Sequence, residues 1–125
     1  MNSILIKNIT IIDPTYNEPL EDAAIYIKNE KIVDIGKPTC VDIDDGTKVI
    51  DGEGRYVLPG FIDMHVHVMA NGFVMENDLT TPISTYFYQA IENMAATLNA
   101  GVTYVRDCGL ADIGVKRAAE NKLFP

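Results

Sequence analysis

A chain of 125 residues has room for one domain or parts of two, and its 47% apolar content is ordinary for a globular protein. Eighteen acidic side chains against ten basic ones give a net charge of −8, which argues against nucleic acid and anionic membrane as partners. No apolar run is long enough to span a bilayer. The start, MNSILIKNIT, lacks the cationic region and small-residue cleavage site of a signal peptide. Cys40 and Cys108 make no disulfide framework, so a reduced cytoplasmic protein is the simplest fit.

Residues 4–13 read as an isoleucine-rich strand whose alternation slips near Asn8, the mark of a bulge or kink. Residues 14–21, with Pro14 and Pro19, read as a loop. Residues 24–28 and Lys31–Gly36 are short strands, and Asn29-Glu30 between them has the spacing of a two-residue hairpin. Residues 38–47 are acidic and exposed. Asp42, Asp44 and Asp45 lack the rest of an EF-hand, so this stretch reads as a solvated loop and not as a calcium site. Residues 48–51 and 55–58 are two further strands across a turn at 51–54. The first sixty or so residues are thus a small β-structure punctuated by regular turns.

After Pro59-Gly60 the pattern changes. Residues 61–68 form a near-continuous apolar run, as in a strand covered on both faces. Residues 70–81 are a polar loop holding Asn71-Gly72, Glu76 and Asp78. In a β/α barrel such a loop leaves the C-terminal end of the strand, where active sites sit. Met69, Phe73 and Met75 either line a pocket there or pack the loop. Thr81-Pro82 supplies an N-cap and an N1 proline. Ile83, Phe87, Ile91, Met94 and Leu98 then recur at helical spacing, with Ala90 beside them, and Gly101 stands where a helix C′ glycine belongs. Residues 102–105 are the next strand. Asp112 caps a last helix running to about Asn121, with Ala118 and Ala119 on its packing side. Strand, helix, strand, helix predicts a parallel, right-handed connection.

The chemistry is concentrated in residues 56–67, YVLPGFIDMHVH. Asp63, His65 and His67 recur at intervals of two inside an apolar run, and these are the chain's two histidines. On an extended strand alternate side chains share a face, which sets one carboxylate and two imidazoles in a row. Two imidazoles two residues apart on a rigid strand can grip one divalent cation. Zn²⁺ suits imidazole and carboxylate donors, and Mn²⁺, Fe²⁺ or Ni²⁺ could substitute.

The run Leu58-Pro-Gly-Phe-Ile-Asp-Met-His-Val-His67 resembles the signature of the amidohydrolase superfamily of metal-dependent hydrolases. Gly101-Val-Thr-Tyr-Val-Arg-Asp107 resembles the second barrel strand of the branch that holds imidazolonepropionase-like and Xaa-Pro dipeptidase-like enzymes. The similarity covers essentially the whole chain, but only the N-terminal part of such enzymes. It implies an α/β chain with an N-terminal all-β part. Residues 1–58 would be a partial small β-sandwich, and 59–125 the first two β/α units of a TIM-type (β/α)8 barrel. In this family glycine is usual where Glu30 stands.

The resemblance implies a divalent metal, one or two ions in the parent enzyme, with His65 and His67 as ligands. It implies a supporting role for Asp63, which would orient His65 or its neighbours. The remaining ligands (a carboxylated lysine or equivalent and two further histidines) and an aspartate base would come from later barrel strands. Arg106 and Asp107 end the second strand close to the site. A local Arg106–Asp107 or loop hydrogen bond is expected there in preference to metal ligation by Asp107, and Cys108 reads as an ordinary free thiol.

Two readings follow. In the first, the chain is the N-terminal portion of an amidohydrolase that cleaves C–N bonds in a cyclic amide, an amidine or a dipeptide by metal-activated water, inactive by itself. In the second, it is a complete non-catalytic assembly or metal-binding module. Two strands cannot close an eight-stranded barrel, and unpaired apolar edges invite association, so a homo-oligomer is expected.

Overall fold

The structure, a computed structural model, describes residues 3–70, 72 and 80–124. It divides into two compact units, Met1–Pro59 and Gly60–Pro125.

The first unit is a four-stranded sheet. Its strands are β1 (Ser3–Ile11), β2 (Leu20–Lys28), β3 (Lys31–Gly36) and β4 (Lys48–Val57), in the order β3-β2-β1-β4. β2 is antiparallel to β1 and β3, while β4 runs parallel to β1. The predicted slip at Asn8 is present: the residue adopts a left-handed φ of 56°, and the register with β2 shifts between Ile6 and Ile9. The slip has a packing consequence. It carries Ile9 and Ile11 to the face of Ile6, where they join Ala23 and Ile25 in one buried cluster. Without it, alternation would put them on the opposite face, with Leu5. That second face is closed by Leu5, Ala24 and Tyr26 under Val41.

Two expectations are corrected here. Residues 48–57 form one strand rather than two across a turn. Opposite Asn8, the residues Gly52, Glu53 and Gly54 bulge out of the parallel ladder, between the pairs Lys7–Asp51 and Ile9–Arg55. Asp51 braces the bulge, since its Oδ1 accepts from Asn8 Nδ2 and from the Glu53 N–H, both at 2.8 Å. A side chain at Gly52 would collide with Ile9 Cγ2, so glycine here is a packing requirement. The second correction is that β2 begins at Leu20, inside the expected loop, because Leu20 pairs with Ile11 and covers the core. At the acidic segment, Pro38–Cys40 forms a short 3-10 turn, and Asp44 pairs with Lys28 Nζ at 2.6 Å.

The second unit holds a parallel pair, β5 (Phe61–Val66) and β6 (Val102–Asp107), joined through helix α1 (Ile83–Asn99) and followed by helix α2 (Ile113–Glu120). Val68, Met69, Ala90 and Val115 form its core, with Val66, Tyr86, Met94 and Val105 packed against them. Asp112 caps α2 as expected, its side chain accepting from the Gly114 N–H at 2.7 Å. Gly101 closes α1 with φ 87° and a bond to the Leu98 carbonyl, the inner bond of a Schellman cap.

Other details differ from expectation. Pro82 is the N-cap residue itself, one position earlier than N1. Of the expected stripe, Ile83, Phe87, Ile91 and Leu98 are exposed, while Met94 and the neighbouring Ala90 do pack, joined by Tyr86. On α2 the buried residue is Val115, while Ala119 is exposed. β5 is not covered on both faces: Phe61, Ile62 and Met64 are each more than half exposed. Met69 belongs to the core, whereas Asn71, Phe73, Met75, Glu76 and Asp78 lie outside the described residues.

Candidate metal centre

The end of β5 and the residue just beyond it bring His65 and His67 to one place. Their ring centroids are 5.3 Å apart, edge to face at 77°. His65 is exposed and His67 half-buried, whereas the intervening Val66 and the following Val68 turn into the hydrophobic core. The period of two that predicts a shared face for the imidazoles is therefore realised at this pair.

Strict alternation does not extend back to Asp63. The register with β6 shifts between Asp63 and Val66, so a bulge falls at Met64 and His65. Bulges commonly sit beside functional sites, where they re-aim a side chain. The Met64 carbonyl is met by Arg106 Nη1 at 3.3 Å, with the Cys108 thiol at 3.7 Å. Asp63 spends its carboxylate locally, Oδ1 accepting from the His65 backbone N–H at 3.0 Å. Among the described residues no third His, Cys, Asp or Glu joins the two imidazoles in a group able to hold a metal ion.

His67 is tied down at its ring. Its Nδ1 lies 3.4 Å from the Gly109 carbonyl oxygen. A carbonyl only accepts, so in this bond Nδ1 carries the hydrogen, which leaves Nε2 as the lone-pair nitrogen of the neutral ring. That is the usual arrangement of a metal-binding histidine, whose second nitrogen is held by a carbonyl or carboxylate. The donor set thus fits a divalent cation at two of its positions.

Asp107 is braced by the loop, both of its carboxylate oxygens being taken up by backbone N–H groups. Oδ2 accepts from the Val68 N–H and Oδ1 from the Gly109 N–H, each at 2.8 Å. The loop hydrogen bonds expected of it are present, although the partner is the backbone rather than Arg106. Cys108 and Cys40 are free thiols. Two residues that sequence reading passes over belong to this neighbourhood. Gly109 supplies the carbonyl that meets His67. Asn93, on α1, donates to the carbonyls of Val68 at 2.9 Å and Ala70 at 3.2 Å. An asparagine on the packed side of a helix is a weak helix former and was the available signal.

A sequence model described as the amidohydrolase family matches residues 56–125. The chain is 33% identical over 105 residues to the 5'-deoxyadenosine deaminase of Methanobrevibacter smithii, covering 83% of this chain and 23% of that protein. It is 41% identical over 76 residues to the dihydroorotase of Clostridioides difficile, covering 61% of this chain and 17% of that one. Its fold matches the crystal structure of a prolidase complexed with N-methylphosphonate-L-proline, with a TM-score of 0.88 and 31% identity over 99% of this chain and 30% of the other. The chain spans less than a third of the length of each of these proteins.

Proposed function

The chain belongs to the amidohydrolase family, and from that premise we propose that it forms the amino-terminal part of a metal-dependent hydrolase cleaving a C–N bond in a small molecule or dipeptide-like substrate. The observation that carries this reading is the His65–His67 pair, with rings 5.3 Å apart at the C-terminal end of β5. Support comes from the relatives, which include a deaminase, a dihydroorotase and a prolidase. All three names denote hydrolysis at a carbon–nitrogen bond, and identities of 33%, 41% and 31% over stretches of different length do not favour one substrate.

His65 and His67 would hold the ion, Zn²⁺ being best suited to such donors and Mn²⁺, Fe²⁺ or Ni²⁺ able to replace it. When bound, such an ion activates water for attack and polarises the scissile group. The protein's own contribution is placement. Asp63 fixes the His65 peptide through its N–H, and the Gly109 carbonyl fixes the His67 ring. A catalytic zinc takes about three protein ligands, so the two imidazoles need further donors from elsewhere in the whole protein. The free thiols Cys40 and Cys108 suit a reducing cytoplasm. No described helix is long and apolar enough to cross a membrane.

Calorimetry with Zn²⁺ on the 125-residue chain tests the metal reading. Weak binding is expected, falling as the solution is acidified because only neutral imidazole binds a metal. The His65→Ala/His67→Ala double variant should lose binding and keep its circular dichroism spectrum. Unchanged zinc affinity in that variant would sink the assignment. Expression of the whole reading frame containing these residues tests the reaction: it should hydrolyse a member of a panel of cyclic amides, aminopurines and Xaa-Pro dipeptides, while the 125 residues alone should not. A metal-loaded whole protein inert across the panel would favour a binding module instead.

A further inference from the structure

We propose that Asp107, which touches neither imidazole, is the positioning residue that sets the orientation and tautomer of His67. The inference rests on the reading of His67 as a metal ligand and deepens it.

Both oxygens of the Asp107 carboxylate are engaged, by two different segments. One accepts from Val68, the residue after His67, and the other from Gly109, each at 2.8 Å. A single carboxylate thereby ties the exit of β5 to the exit of β6 with two charge-assisted bonds. Gly109, held in this way, presents its carbonyl to His67 Nδ1 at 3.4 Å. The ring also lies flush with Gly109: a Cβ built there would stand 3.4 Å from both Cε1 and Nδ1 of His67. Asn93 grips the same turn from the helix side through the Val68 and Ala70 carbonyls. The peptides on either side of Val68 are thus held by side chains from two other elements. The chain of contacts runs from Asp107 through Gly109 to Nδ1, and its end result is the Nδ1–H form of the ring, in which Nε2 carries the lone pair a metal-binding histidine uses.

A purely structural role would make Asp107 one more loop brace whose loss lowers stability and nothing else. The two roles separate in the ring nitrogen resonances of His67, read by ¹⁵N NMR on the metal-free protein in mild alkali, where imidazole is neutral. Asp107→Ala should move His67 from the Nδ1–H form toward the Nε2–H form that unrestrained neutral histidine favours. It should also weaken Zn²⁺ binding about tenfold, the lower end of the range for lost outer partners of metal-bound histidine. Asp107→Asn keeps one acceptor oxygen and the same shape, so it should fold and show a smaller change of the same sign. Asp112→Ala is the control: it removes a carboxylate that caps α2 by the same kind of bond to a backbone N–H, here Gly114, and should lower thermal stability while leaving the His67 tautomer and the zinc affinity unchanged. Wild-type tautomer and zinc affinity in a folded Asp107→Asn or Asp107→Ala protein would overturn the proposal. The His65→Ala/His67→Ala variant separates the two claims. If that variant binds zinc normally the metal reading fails, while the tautomer measurement still decides whether Asp107 positions the ring.

Discussion

Gly60 and Thr103 lie against each other across the start of the β5–β6 pair, with no room for a side chain at Gly60. A Cβ there would overlap Thr103 Oγ1 and Cγ2 and stand 2.7 Å from Thr103 Cβ. The contact sits where the ladder slips, since Phe61 pairs with Val102 while Ile62 pairs with Tyr104, leaving Thr103 as the extra residue on β6. Rotation of Thr103 can move its Oγ1 and Cγ2, but its Cβ moves only with the backbone. Gly60→Ala is therefore expected to destabilise the second unit by about 1–3 kcal/mol, the usual cost of overpacking. Adding Thr103→Ala should recover part of the loss, because it removes the two nearest atoms. Urea denaturation of the single and double variants checks this, and a Gly60→Ala midpoint equal to wild type would refute it.

The β2–β3 hairpin turns on two left-handed residues, Asn29 at φ 50° and Glu30 at φ 65°. Positive φ at both central positions is the type I′ geometry that matches strand twist, and Asn-Gly is its favoured sequence. Glutamate at the second position carries a left-handed penalty of roughly 1–2 kcal/mol, partly offset by the entropy glycine would lose on folding. Glu30→Gly should accordingly stabilise the first unit by about 0.5–1 kcal/mol. A thermal melt showing a lower midpoint would mean that the Glu30 side chain makes a compensating interaction.

Local rules carry much of this architecture, and they fail where a contact is distant in sequence. The bulge at Asn8, the cap at Asp112, the C′ glycine at Gly101 and the shared place of His65 and His67 all follow from residues within a few positions of each other. Turn chemistry misleads at residues 51–54, because Asp-Gly and Gly-Arg junctions suit a hairpin and a bulge equally; only the parallel partner β1 selects the bulge. On α1 the stripe of Ile83, Phe87, Ile91, Met94 and Leu98 has the right period, yet of these Met94 meets the core, with the expected Ala90 beside it and the unexpected Tyr86. Periodicity finds a helix and leaves its rotation to tertiary packing. At the site, the bond from Val68 to Asp107 spans 39 positions, which places it beyond any local rule.

Acid should lower the stability of the first unit through identifiable carboxylates. Asp51 is held below its ordinary value of 3.8, first by the backbone N–H of Glu53 and then by Asn8. Asp44 is lowered chiefly by its bond to Lys28 and next by Tyr26, and Asp13 by the hydroxyl and then the N–H of Thr15. A carboxylate with a depressed folded pKa binds protons more readily in the unfolded chain. Its stabilisation is present above the unfolded value and is lost as pH falls through the folded one. Lys28 is raised by Asp44, so its share is present below 10.5 and is lost as pH rises through the folded value. Urea midpoints should hold steady toward neutrality and drop below pH 3.8. Asp51→Asn keeps an acceptor for Asn8 and Glu53 but cannot take up the proton, so its acid decline should be shallower than wild type. Superimposable pH profiles would remove Asp51 from the account.

The β5–β6 sheet of the second unit should drive self-association. Phe61, Ile62, Met64 and Tyr104 are each more than half exposed on its two strands. A two-stranded sheet of this kind has two edges whose backbone groups can pair with another copy, and apolar edge residues make that pairing favourable. The net charge of −8 opposes it, since like-charged copies repel. Screening decides which effect wins: the Debye length is about 30 Å at 0.01 M salt and about 3 Å at 1 M, so repulsion reaches across an encounter only in dilute buffer. The apolar term is little weakened by salt. We therefore expect light scattering at micromolar protein to report a dimer or larger species at physiological salt, shifting toward monomer in dilute buffer. Ile62→Lys combined with Tyr104→Lys should restore the monomer under both conditions, because lysine on an edge strand discourages pairing. A wild-type chain that stays monomeric and well folded as salt rises would show that these strands are protected by another means.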